Sequence, residues 1–143
     1  MFNIEINNSP KEVFGEQVYP SKIVINDFYE WINIPVVYWD IEQYKDSWKK
    51  SIKYGLETKE HAALIVSMYD PDNLNFISTW TLYFVNELVY IQNKFIFVNE
   101  YNNFDVNSIN DFISNREIYN EDGVRISEWQ CTVEDIIEFY HSL

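Results

Sequence analysis

One cysteine, two histidines and 23 carboxylates are the side chains of this 143-residue chain that could do chemistry. A thiol nucleophile needs an oriented base beside it. Cys131 lies in Glu128-Trp129-Gln130-Cys131-Thr132, which carries no such signature. His61 falls where a strand should open, and His141 falls on a terminal helix. Neither is flanked by a triad element, so we expect a buried, inert thiol and structural or solvent-exposed imidazoles.

Zinc wants four Cys or His ligands, or three and a water. The chain has three such residues, none at ligand spacing. Asp70 and Asp72 imitate the start of a calcium loop, but its glycine and distal glutamate are missing. Asp70-Pro71-Asp72-Asn73 therefore reads as a turn. Neither a metal nor a cofactor is expected. Among so many acids, chance pairs are numerous and none stands out for acid-base work. Glu128 beside Trp129 is the one that could sit in an apolar pocket with a raised pKa. A cross-strand hydrogen bond or an exposed position is the plainer reading of it.

Charge says more. Ten basic residues leave a net charge of -13, which repels nucleic acid and anionic membranes and favours encounter with basic surfaces. Five of the ten bases lie between Lys45 and Lys59. From Glu100 to Leu143 ten acids face only Arg116 and Arg125. At 18% aromatic residues the chain must still build a core, so this is no disordered acidic tail. The pattern fits a module that binds a protein. The same aromatics leave a homo-oligomer surface open.

The elements that must position these groups follow from periodicity. Phe2, Ile4 and Ile6 alternate as in a short strand. Lys22 to Ile32 reads as one strand region, with Ile23, Ile25, Tyr29 and Trp31 on a common face, limited by Pro35. Asp40 and Gln43 form a capping box for a helix whose stripe is Ile41, Tyr44, Trp48, Ile52 and Leu56. Gly55 should ease its exit. His61 to Tyr69 is a buried strand. Asn75 to Val85 and Leu88 to Asn99 form a hairpin about Asn86-Glu87, the second strand being central. Val106 to Ser114 predicts a short helix after Asp105. Val124 to Cys131 predicts a last strand. Thr132 and Asp135 cap a final helix with Val133, Ile136, Ile137 and Tyr140 inward.

This order predicts one α+β domain over residues 1–143, a central, mainly antiparallel sheet with helices packed against it. The amino terminus lacks a signal peptide pattern, and no apolar run reaches membrane-spanning length. A cytoplasmic protein is expected.

Three stretches carry a family resemblance. They are Tyr19-Pro20-Ser21-Lys22-Ile23-Val24-Ile25-Asn26-Asp27-Phe28 with Trp31 and Tyr38-Trp39, then Gln92-Asn93-Lys94-Phe95-Ile96-Phe97, then Gly123-Val124-Arg125-Ile126-Ser127-Glu128-Trp129. The chain resembles, from about Phe14 to Phe139, one group of immunity proteins of bacterial contact-dependent growth inhibition systems. The resemblance implies a non-enzymatic, cytoplasmic antitoxin. Its partner would be the toxic carboxyl-terminal domain of a large exported effector, bound one-to-one. Many such toxins are nucleases, whose basic cleft an acidic inhibitor can occupy.

No catalytic residue carries over, and toxin contacts differ between relatives because specificity needs private contacts. Charge and turns select Asp111, Glu117, Glu121 and Asp122 as an acidic patch, extended by Tyr69, Asp70, Asp72 and Glu100. Trp129 fits an anchor less well than a core position. Two rivals stay open: an acidic nucleic-acid mimic that regulates a DNA-binding protein, and a small carboxylate-dependent hydrolase or isomerase with a deep pocket.

Overall fold

A computed structural model describes all 143 residues. The chain is α+β, but its eight strands divide between two antiparallel sheets rather than one. The first holds β1 (Phe2–Ile6), β2 (Lys11–Val13), β3 (Glu16–Ile25) and β4 (Phe28–Pro35). β4 pairs along one edge of β3, and β1 and β2 share the other. The second sheet has the order β5-β6-β7-β8, from β5 (His61–Ser67), β6 (Phe76–Val85), β7 (Leu88–Phe97) and β8 (Trp129–Thr132). Helices α1 (Ile41–Thr58) and α2 (Val133–Ser142) complete the fold.

The expected single strand over Lys22 to Ile32 is in fact a hairpin. Asn26, at φ 52°, opens a two-residue turn that sets Ile25 opposite Phe28. The turn changes the parity of the second strand. Ile23 and Ile25 enter the core, whereas Tyr29 and Trp31 stay on the solvent face. Asn suits this position because it tolerates the left-handed region.

Both capping boxes form. Asp40 accepts from Gln43 N while the Gln43 side chain accepts from Asp40 N, and Thr132 and Asp135 do the same for α2. Gly55 has a different role from the one its position implied. The left-handed exit of α1 is at Lys59, φ 59°. At Gly55 a Cβ would stand 2.8 Å from Phe84 Cε2 and 2.9 Å from both Ala62 Cβ and His61 O. The glycine lets the helix press onto the second sheet.

The α1 stripe then closes the outer edge of β5. Tyr44 Oη accepts from Met68 N and donates to Pro35 O, Trp48 Nε1 donates to Ile65 O, and Ser51 Oγ donates to Ala63 O. Asn110 Oδ1 takes Ala63 N, and Asn110 Nδ2 donates to Ser51 O. Side chains thus replace a neighbouring strand. An edge left bare would be a template for pairing.

Asn110 also explains why Val106 to Ser114 is no α-helix. Residues Val106–Phe112 are 3-10 turns kinked at Ser108, which brings Asn110 inward to β5. The predicted last strand is shorter than Val124 to Cys131. Arg125 makes only an isolated bridge to Tyr119, and β8 begins at Trp129. In α2 the buried side chains are Ile136 and Phe139, while Ile137 faces solvent. One core of 25 buried residues joins the sheets and helices. Phe139 links the layers, with ring centroids 5.0 Å from Phe2 and 6.1 Å from Trp48.

Candidate functional site

β6 and β7 place Thr79, Thr81 and Tyr83 opposite Lys94, Gln92 and Tyr90 on one face of the second sheet. Chain alternation makes this face polar, and Thr79, Thr81 and Gln92 are buried on it. The segment from Ser114 to Glu128 covers it. Tyr83 Oη donates to Ser114 O, and Lys94 Nζ donates to Tyr83 Oη at 2.7 Å. Gln92 Nε2 donates to Glu117 O and to Glu128 Oε2. Gln92 Oε1 is the one buried side-chain polar atom without a partner.

Arg116 closes this cover. It meets Glu128 in a bidentate pair, and its guanidinium lies 3.8 Å from the Tyr90 ring centroid. The Arg116 hydrogen bonds hold the Glu128 carboxyl below its ordinary range, against the opposing effect of burial. The raised pKa that an apolar pocket beside Trp129 would give is therefore reversed in sign, and the hydrogen-bonded reading of Glu128 is the right one. Burial pushes the Tyr83 hydroxyl up to about 12 and pulls Lys94 down.

Three of the proposed acids ride on this cover. Glu117 gives its backbone carbonyl to Gln92 and leaves its carboxylate exposed. Glu121 and Asp122 project from a turn in which Asn120 Oδ1 accepts from Asp122 N and Val124 N, with Gly123 at φ 75°. Asp111 instead lines a cleft of about 420 Å³ between α1 and the 3-10 turns, together with Asp46, Lys50 and Tyr54. The cleft lining includes neither a thiol nor an imidazole.

The remaining four sit around the open end of the β6–β7 hairpin. Asp70 caps the turn Pro71–Asn73 by accepting from Asp72 N, which is the turn reading of this motif. Val98 N donates to Asn75 O, so the chain entering β6 and the chain leaving β7 toward Glu100 run side by side. Tyr69 Oη donates to Glu16 Oε2 at 2.9 Å, tying this end to the first sheet. Burial, then Glu16, raise the pKa of that phenol, so it keeps its proton.

Sequence reasoning missed two features here. Phe76, Phe95 and Phe97 form an exposed cluster at the same hairpin end, with Phe76 and Phe95 edge to face at 5.3 Å. Their period-two spacing was the signal, but a solvent face and a core face share that spacing. The other is Phe14, wholly exposed at a hairpin tip. Trp129 is stacked on Phe28 at 4.3 Å and belongs to the packing. Cys131 is buried, its thiol pushed up to about 12 by desolvation. His61 Nε2 lies 2.7 Å from Asn110 O. No three His, Cys, Asp or Glu side chains converge as a metal cluster would require. No helix is long and apolar enough to cross a membrane.

A domain with a sealed edge, a polar cover and exposed acids and aromatics is built to present surface. Residues 34–139 match the family described as the CdiI N-terminal domain. The chain belongs to the CdiI family of immunity proteins. It is 49% identical to the immunity protein CdiI of Enterobacter cloacae subsp. cloacae, with 100% of this chain and 99% of that protein aligned. Its fold matches a chain of the solved CdiA-CT/CdiI toxin and immunity complex from Enterobacter cloacae. The TM-score is 0.95 at 48% identity, covering 99% of this chain and 97% of that one.

Proposed function

We propose that this chain is the immunity partner of a toxin domain at the carboxyl terminus of a contact-dependent growth inhibition effector. It binds that domain one-to-one, without turnover, in the cytoplasm of the cell that makes both. The toxin is a nuclease with a basic cleft. The acidic face, with Glu117, Glu121 and Asp122 on the cover and Asp70, Asp72 and Glu100 at the hairpin end, stands where nucleic-acid phosphates would lie.

The end-to-end likeness to a protein solved in a toxin and immunity complex carries this reading. The net charge of -13 supports the choice of a basic partner. Co-purification with the toxin domain encoded immediately upstream, followed by titration calorimetry, tests it. The expected result is nanomolar one-to-one binding and loss of toxicity. Absence of binding would overturn the immunity reading. Charge reversal in Glu121→Lys with Asp122→Lys tests the face alone: protection should fall, and full protection would leave the function standing without that patch.

A further inference from the structure

The three two-residue hairpin turns are not alike. Asn26 and Asn86 open two of them, at φ 52° and 57°. In the third, between β2 and β3, Val13 pairs with Glu16 and the turn is Phe14-Gly15, at φ 50° and 80°. Asn is well suited to a left-handed turn position, and a bulky aromatic is poorly suited to it. Phe14 is also fully exposed, with a relative accessibility of 102%. The free protein therefore carries backbone strain at Phe14 and buries none of the ring in return. The β2–β3 register imposes this conformation, and residues strained in this way cluster at functional sites.

The exposed aromatics of β4 and of the β6–β7 hairpin end have cover of their own, whereas Tyr38, Tyr54 and Tyr119 share with Phe14 the lack of an aromatic or cation neighbour but lie at ordinary backbone angles. Lys22 Nζ lies 5.5 Å and 5.4 Å from the ring centroids of Tyr29 and Trp31. The phenylalanines at the end of β6 and β7 pack on one another. No aromatic or cation contact engages Phe14. Acids outnumber the one cation around it: Glu12 and Glu16 flank the turn, with Lys11 beyond Glu12, and Glu16 holds Tyr69, the neighbour of Asp70.

We propose that Phe14 is the apolar anchor of the toxin interface, entering a pocket on the toxin domain whose rim is basic and faces Glu12, Glu16 and Asp70. This rests on the immunity reading above. An aromatic seated in a desolvated pocket and ringed by contacts that exclude water is the usual composition of a binding hot spot, and charges at the rim steer the encounter.

Phe14→Asn separates this role from folding, because it installs the residue found in the other two turns. Thermal unfolding of the free variant should occur at or above the wild-type temperature. Its affinity for the upstream toxin domain, by calorimetry at fixed salt, should fall roughly 10- to 100-fold. Phe14→Leu should recover part of the loss. If wild type binds and Phe14→Asn binds within twofold of it, the anchor is refuted and the immunity reading survives. If wild type does not bind, both fall. Sedimentation of the free proteins supplies the last arm: a Phe14-dependent dimer with unchanged toxin affinity would assign the tip to a second copy of the chain and overturn the proposal.

Discussion

Arg116 holds Glu128 by two parallel hydrogen bonds, Nε to Oε2 at 2.8 Å and Nη2 to Oε1 at 2.6 Å. The pair fastens the acidic cover to the sheet beneath it, through Gln92 on one side and the Tyr90 ring on the other. The geometry is that of a strong, charge-assisted contact. It fixes where Glu117, Glu121 and Asp122 are presented, so folding and surface meet in this one pair.

Glu128→Gln should destabilise the protein by about 1–3 kcal/mol at neutral pH, because Arg116 loses its charged partner. The sign of the pH dependence follows from the direction of the shift. The folded Glu128 carboxyl lies below its ordinary 4.5. Its contribution is complete above the unfolded value and is lost as pH falls through the folded one. Chemical denaturation of both proteins from pH 7 down should show the difference closing below about 4.5. A constant gap would mean that Glu128 acts through shape rather than charge.

Gly55→Ala tests close packing against helix propensity. Alanine gains about 1 kcal/mol of intrinsic propensity. Its Cβ would meet Ala62 Cβ and His61 O at 2.9 Å, and neither can swing away. A net loss of about 1–3 kcal/mol is expected in denaturant titration. A stabilised variant would show that α1 is not seated as described.

Asn110→Ala removes the acceptor of Ala63 N and the donor to Ser51 O. Ala63 N on the edge of β5 and Ser51 O on α1 each lose that buried partner, at a cost of about 2–3 kcal/mol. Hydrogen exchange should locate the damage, with protection lost at Ala63 ahead of the β6–β7 ladder. Uniform loss across the sheet would argue against a local role.

Cys131 should be silent toward thiol reagents in the native protein and react fully in denaturant. Its thiol is buried and pushed up to about 12, so almost no thiolate exists at neutral pH. A native reaction at the rate of a free thiol would contradict this environment.

Much of the frame could be read from local signals. Asp40 with Gln43 and Thr132 with Asp135 marked both helix starts within a residue, because capping depends on neighbours along the chain. The Asn86-Glu87 hairpin was legible for the same reason. What escaped depends on distance in sequence. Asn26-Asp27 fell inside the single strand region expected over Lys22 to Ile32, and only the pairing of β3 with β4 shows that the chain reverses there. Asn110 gave no sign that it would hold an edge 47 residues earlier. Glu128 could be placed only once Arg116 and Gln92 converged on it. Of the acids selected from composition, the fold gathers Asp70, Asp72 and Glu100 near one hairpin end and puts Asp111 in a separate cleft. Net charge carries no information about such grouping.

The Phe14-Gly15 turn has a consequence for how this lineage can change. Its two residues lie outside the paired register, and only Gly15, at φ 80°, is held to its identity by the backbone. At position 14 the backbone angle and no packing contact sets the cost, so Asn, Asp or Gly can replace Phe there without structural penalty. With the anchor proposed above at position 14, a descendant could exchange one binding partner for another through a single codon, while the closed edge, the pinned cover and the shared core pass on unaltered.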